Sequence, residues 1–210
     1  MPRSQTLPDL SRSGVAVVSS WAAPGRQRAV MEEAAAARES APWPDGLLSV
    51  SYFVSFDDDK VATYAQWSGE DAVTGLDGPE PIVYRLHRSG AMAGDTRVPG
   101  CIVFVEVESE DADLARSWID SVFTALGSET EPHPGGISAH FYVSTDGKRV
   151  LNYAAWTDPE AHRKAVGDPA APGVAKSMSA EWQRVRNTPG ITPIGFTRYG
   201  LALRLTRPAT

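Results

Sequence analysis

The sequence predicts an α+β fold built from two tandem ferredoxin-like units, each with the order β-α-β-β-α-β. Three observations predict it. A stretch occurs twice: residues 46–67 (GLLSVSYFVSFDDDKVATYAQW) and 135–156 (GGISAHFYVSTDGKRVLNYAAW) align without a gap, with nine of 22 paired positions identical. Self-similarity of this kind decides architecture before any local pattern does. The apolar period then switches between two and about 3.6 along each copy, as alternating strands and helices require. Finally, 210 residues with a hydrophobic fraction of 42% suffice for two small packed cores.

The elements follow in order. Residues 1–13 are polar with two prolines and read as a frayed tail. Residues 14–21 are β-branched and read as a strand, and residues 24–39, rich in Ala, Arg and Glu, as a helix. Leu48, Val50, Tyr52 and Val54 alternate with smaller or opposite-facing residues. The acidic run 57–59 turns the chain, and residues 61–67 return, which makes a hairpin. A short stretch leads to a last strand at 82–88. Residues 89–100 (SGAMAGDTRVPG) read as a small-residue linker. In the second copy, 101–107 is a strand. Leu114, Trp118, Val122 and Leu126 mark a helix face, with Gly127 as its stop. Asp146-Gly147 turns the second hairpin. Thr157-Asp158-Pro159-Glu160 is a helix start, with Thr157 as cap and Glu160 completing a capping box. A helix at 172–186 presents Val174, Met178, Trp182 and Val185 on one side, and 191–205 is a final extended segment. The domains therefore span 14–88 and 101–207. An antiparallel sheet with helices on one face leaves the other bare. Two copies can bury those bare faces against each other, so an intramolecular pseudo-dimer is expected, with outer strands open to association between chains.

Composition narrows the function. The formal net charge is −6, which disfavours a nucleic-acid partner, since phosphate backbones call for a basic face. No apolar run reaches the roughly 18 residues of a membrane span, and no signal-peptide core precedes the first strand. Cys101 is the single cysteine, so a disulfide framework is excluded and a reducing cytoplasm is the expected compartment. There is no GxGxxG or GxxxxGK[ST] motif, and His87, His133, His140 and His162 show no metal-ligand spacing. No cofactor or metal is expected.

The most specific segment is Asn152-Tyr153-Ala154-Ala155-Trp156, followed by Thr157 to His162. Residues two apart on a strand share a face, so Asn152, Ala154 and Trp156 frame a slot between an amide and an indole. That pair suits a flat, oxygenated aromatic ligand; the same residues would also serve as core filler and edge polar group. Tyr64 and Tyr153 are equivalent and lie on the opposite face. Ser138, His140 and Tyr142 share one face of their strand, and His140 reads either as a half-buried structural histidine or as a proton acceptor. Trp118 and Trp182 fall on helix stripes, as core or as pocket roof.

The tandem plan with Asn-Tyr-x-x-Trp-Thr-Asp-Pro-Glu resembles the antibiotic biosynthesis monooxygenase family of the dimeric α+β barrel superfamily, over both copies. The resemblance implies two units packed sheet to sheet within one chain. It also implies oxidation of anthrone-type aromatic polyketides to quinones by molecular oxygen, without flavin or metal. In such members an Asn four residues before the Trp, the Trp, and a Tyr six after it surround the substrate. Asn152 and Trp156 match the first two, and His162 stands in place of the Tyr. The implied catalytic set is Asn152, Trp156, His162 and His140; the implied substrate walls are Trp118, Tyr142, Trp182 and Met178. The first copy has Thr63 and Val73 at the corresponding positions and a shortened second helix, so it reads as a structural partner with its pocket lost or narrowed. The alternatives are a polyketide cyclase on the same fold, a haem-binding or haem-degrading protein, and a non-catalytic binding module.

Overall fold

A computed structural model of the chain describes residues 1–75, 78–91, 95–129, 133–166 and 179–207. Among them run nine strands and four α-helices: β1 (Arg3–Ser4), β2 (Val15–Ala22), α1 (Gln27–Ser40), β3 (Leu47–Ser55), β4 (Lys60–Trp67), β5 (Ile82–Ala91), β6 (Cys101–Ser109), α2 (Ala112–Gly127), β7 (Gly136–Ser144), β8 (Arg149–Trp156), α3 (Pro159–Val166), α4 (Ala180–Arg186) and β9 (Ile191–Thr206). The class is α+β, with antiparallel ladders. No helix among the described residues is long and apolar enough to cross a membrane.

The chain divides into two compact units. Unit 1 comprises residues 1–86 and 197–210, and unit 2 residues 87–196. The division is not consecutive, unlike the expected 14–88 and 101–207. Strand β9 belongs to unit 2 as far as Phe196 and to unit 1 from Thr197 onward. In unit 1 the strand order is β1-β9-β3-β4-β2-β5, and in unit 2 it is β5-β7-β8-β6 with β9 beside β6. The partner of a long strand depends on distant sequence, so local alternation could not reveal that β9 changes allegiance.

The repeat holds at the level of register. Val54 pairs with Val61 and Ser51 with Tyr64 in unit 1; Val143 pairs with Val150 and His140 with Tyr153 in unit 2. Each hairpin carries an irregularity at the same place, between Leu47 and Ser49 and between Gly136 and Ser138. Each turn also has one left-handed residue at the same place, Asp58 (φ 55°) and Gly147 (φ 75°). Hydroxyls brace both turns: Ser55 Oγ accepts from the backbone N–H groups of Asp59 and Lys60, and Ser144 Oγ from that of Arg149.

Several local expectations need correction. Residues 1–13 are not frayed: Arg3 pairs with Leu205, and its guanidinium bonds Glu39 and Glu32 on α1. Helix α3 is capped by Asp158, whose Oδ1 accepts from the Ala161 N–H at 2.8 Å, rather than by Thr157. Gly127 is the last residue of α2, not a stop beyond it. Of the helix expected at 172–186, residues 172–178 lie outside the described residues; Ser179 caps a helix that runs Ala180–Arg186. Between β4 and β5 the described residues form one 3-10 turn, Glu70–Ala72.

The two turns make a matched test. A Cβ at Gly147 would lie 2.8 Å from the Ala112 nitrogen in addition to the left-handed backbone, so Gly147→Ala should cost about 1–3 kcal/mol. Asp58→Gly in the equivalent turn should stay within about 0.5 kcal/mol of the parent, because Asp tolerates that region and Gly brings only a small entropy cost. Urea denaturation of both variants checks this; equal losses would show that the turns are not equivalent.

Candidate functional site

Strand β8 presents two faces. Tyr153, Leu151 and Ala155 look one way and are buried; Asn152, Ala154 and Trp156 look the other, toward the helices of unit 2. On the helix-side face Asn152 lies between Val105 of β6 and Phe141 of β7, its cross-strand partners. Ala154 sits between Val103 and Ala139, and Trp156 opposite Cys101. The carboxamide is thus set in an apolar strip. Its Oδ1 is buried with no hydrogen-bond partner among the described residues. Such a group costs about 1–3 kcal/mol unless something supplies a donor.

At the end of the strip two imidazoles lie against Trp156. The His162 ring is 5.0 Å from it, edge-on, and the His133 ring 5.4 Å away, tilted. His162 is 4% exposed and also meets Phe196 edge-on at 5.1 Å. Local sequence explains both placements. The Asp158 cap and Pro159 start α3 immediately after β8, so His162 comes one turn into the helix and faces back to the Trp. Gly135 lets the start of β7 run against α3: a Cβ there would collide with Ala161, and its carbonyl accepts from the Thr157 N–H at 2.9 Å. His133 Nδ1 in turn accepts from the Gly135 N–H at 3.3 Å. The segment read as a linker contributes as well. Arg97, paired with a nearly buried Asp95, donates to the carbonyls of Pro134 and Gly136 at 2.5 and 2.9 Å, and so clamps the loop that carries His133. That bond set holds the Asp95 carboxyl down at about 2.

Comparison of the copies shows what is particular to unit 2. At the constant offset of 89 residues (135 − 46), Pro44 corresponds to His133 and Val73 to His162. Trp67, the partner of Trp156, is 1% exposed inside a hydrophobic core to which Val73 contributes. Both imidazoles are therefore additions to the shared plan. His133 is the site residue that sequence reasoning missed, and this offset is the signal that would have found it.

The remaining candidates divide. Trp118 lies edge-on to Phe141 at 6.4 Å, beside Asn152's neighbour, and its Nε1 donates to the Val185 carbonyl at 3.1 Å. Trp182 donates to Glu129 Oε1 at 2.7 Å. Trp118 thus ties α2 to α4, Trp182 ties α4 to the segment just after α2, and both pack against the unit 2 core with their indole donors engaged. Met178 lies outside the described residues. His140 and Tyr142 are not brought to the site. Their cross-strand partners are Tyr153 and Leu151, which puts them on the face opposite Asn152 and Trp156. His140 instead bonds Ser89 Oγ at 2.9 Å and Ser138 Oγ at 3.2 Å. Cys101 is 1% exposed within the small cluster around Ala154. Among the described residues no group of three or more His, Cys, Asp or Glu could hold a metal ion.

With this geometry in hand, solved structures supply comparisons. An anthrone oxidase-like protein superposes with a TM-score of 0.67 at 14% identity, covering 91% of this chain and 92% of that one. A staphylococcal protein described as a major regulator of staphylococcal pathogenesis gives 0.50 at 12% identity, over 89% and 97% of the two chains. A ferredoxin-fold protein of Listeria monocytogenes related to antibiotic biosynthesis monooxygenases gives 0.46 at 13%, over 97% and 100%. No family model matches the sequence, and neither does any curated protein. At such identities the likeness is one of fold, which this chain shares with the anthrone oxidase-like protein.

Burial lowers the proton affinity of His140 below the ordinary imidazole range. As pH falls below about 6.5 the unfolded chain takes up that proton before the native one does, so native stability declines in acid. Denaturation at pH 7.5 and 5.5 should show this loss, and His140→Gln should reduce it. An unchanged loss in the variant would assign it to other groups.

Proposed function

We propose that unit 2 is a cofactor-independent monooxygenase site, which oxidises an anthrone- or phenol-type aromatic polyketide to a quinone with molecular oxygen. The observation that carries this reading is the buried, unpartnered Asn152 Oδ1 on the same face as Trp156 and His162. The fold likeness to an anthrone oxidase-like protein supports it. Asn152 and Trp156 are four residues apart on one strand, about 13 Å, a length suited to a linear three-ring system. An enol or phenol hydroxyl at one end of such a ring system supplies the hydrogen the carboxamide oxygen lacks; with the amide turned over, its N–H donates to the enolate.

The chemistry needs only the substrate as electron source. Loss of a proton from the reactive CH2 gives an electron-rich carbanion, and His162 is the base. The carbanion passes one electron to oxygen, and recombination forms a C–O bond to a peroxide. Loss of water from that peroxide leaves the carbonyl. The balance is CH2 plus O2 giving C=O plus H2O, with no external reductant. The enzyme's part is to favour the enolate, hold the ring flat and keep bulk water away. His140 and Tyr142, on the opposite face, have no part in it. The proposed partner is thus a small aromatic molecule, with neither nucleic acid nor a membrane involved.

A polyketide cyclase would use the same slot for acid–base ring closure without oxygen, and the fold does not separate the two. Oxygen uptake with an anthrone in chelator-treated buffer does. The parent protein should consume oxygen stoichiometrically with quinone formation and stop under anaerobic conditions. Asn152→Ala should lower kcat roughly 10²-fold, the usual cost of removing one oxyanion-stabilising group. Turnover that persists without oxygen would replace the oxygenase with the cyclase, and an unaffected Asn152→Ala would remove that residue's role.

A further inference from the structure

On the face of unit 2 opposite Asn152, two hydroxyls hold His140. Ser89 Oγ, from β5, lies 2.9 Å from its Nδ1, and Ser138 Oγ, from β7 itself, 3.2 Å from its Nε2. All three residues belong to unit 2, where β5 runs beside β7. The ring also stands edge-on to Tyr153 at 6.3 Å, which together with the two bonds fixes its plane. The imidazole is half-buried and Ser89 is exposed, so solvent reaches the serine while the base behind it is sheltered.

The repeated frame does not demand an imidazole here. At the constant offset, Ser138 corresponds to Ser49 and His140 to Ser51. In unit 1 Ser49 Oγ donates to Gln66 Oε1 at 2.9 Å, and Ser51 is fully buried. The shared serine is thus kept, and unit 2 alone places a base beside it. A neutral imidazole carries one N–H and one lone pair. The longer contact, to Ser138, suits an N–H donor, and the shorter, to Ser89, suits an O–H donor. In that tautomer Nε2–H donates to Ser138, and Nδ1 accepts from the Ser89 hydroxyl. Burial keeps the ring neutral near pH 7, with its lone pair turned to that hydroxyl.

We propose that Ser89 is a nucleophilic serine, with His140 as its general base and Ser138 positioning the imidazole, and that it accepts acyl groups from aryl esters. The arrangement supplies a hydroxyl, a base within hydrogen-bond reach of it, and a third group that orients the base. That third group is a hydroxyl and not a carboxylate, so the imidazolium that forms is less stabilised than in a Ser-His-Asp triad. This favours esters with a stable leaving group, of which a phenolate is the simplest. As Ser89 Oγ bonds to the ester carbonyl carbon, its proton passes to His140 Nδ1. The C–O bond to the phenol then breaks, and the phenolate recovers that proton. Water attacks the acyl-serine with the same base, which releases the carboxylic acid and restores Ser89. The sum is ester plus water giving acid plus phenol, with no oxidant or reductant. The site shares no residue with the oxygenase reading and does not depend on it.

The test is reaction of the full chain with p-nitrophenyl acetate, followed by tryptic mapping. The fragment 89–97 (SGAMAGDTR) contains no lysine, so an acetyl group on it reports a hydroxyl rather than a surface amine. The parent should release nitrophenolate in a burst stoichiometric with the chain and carry the acetyl on Ser89 rather than Thr96. Ser89→Ala should abolish both the burst and the label, and His140→Gln should slow labelling roughly 10²-fold. Ser138→Asp, which puts a carboxylate behind the imidazole, should speed labelling, a gain that a merely structural serine would not give. Thermal melts establish that each variant is folded; should His140→Gln fail to fold, the exposed Ser89→Ala and Ser138→Asp decide the matter. An unlabelled fragment 89–97 in the parent, a burst that survives Ser89→Ala, undiminished labelling in folded His140→Gln, or a folded Ser138→Asp no faster than the parent would overturn the proposal.

Discussion

The pairing register of the β7–β8 hairpin governs everything proposed for unit 2. Side chains alternate along a strand, so a slip of one residue would exchange the faces of Asn152 and Tyr153. Asn152 would then leave the helix side, and a tyrosine would enter it. Two local devices oppose the slip. The irregularity between Gly136 and Ser138 marks one end of the ladder, and the left-handed turn at Gly147, braced by Ser144, fixes the other. The same devices recur in β3–β4 with different residues, Asp58 for Gly147 and Leu47 for Gly136. A geometry that outlasts such exchanges is a property of the repeated unit itself.

On that common frame the copies diverge by substitution at matched positions. One tryptophan is buried in a hydrophobic core and the other meets two imidazoles. The difference traces to Val73 against His162 and Pro44 against His133. Buried, unpartnered polar atoms occur in both units, among them Trp67 Nε1 and Asn152 Oδ1. The Trp67 donor is enclosed in packed core, while the Asn152 acceptor belongs to a half-buried residue that a ligand could meet.

What the sequence revealed and what it hid follow from the range of the interactions. The hairpins, their turns and the shared face of Asn152, Ala154 and Trp156 were legible, because a period of two and a turn residue are local signals. The opposite face of His140 was also latent in the register, since its cross-strand partner is Tyr153, but it required knowledge of the pairing rather than of one strand. The ordering of residues 1–13 was hidden: it depends on β9 and on Glu32 and Glu39, far along the chain. Arg97 was hidden for the same reason, since small-residue composition says nothing of two carbonyls more than thirty residues away. Asp158 displaced Thr157 as helix cap because both are good caps and sequence alone does not rank adjacent candidates.

The central claim is that the carboxamide of Asn152 meets a flat polyphenol on the helix-side face of β8. The most direct measurement is the side-chain amide spectrum of ¹⁵N-labelled protein titrated with 1,8-dihydroxyanthraquinone, with Asn152→Asp used to assign the Asn152 signal. A saturable shift of that pair of resonances, together with the Trp156 indole N–H and with no change at the Trp67 indole, is the result expected. Saturable binding that leaves the Asn152 amide unmoved would contradict the account.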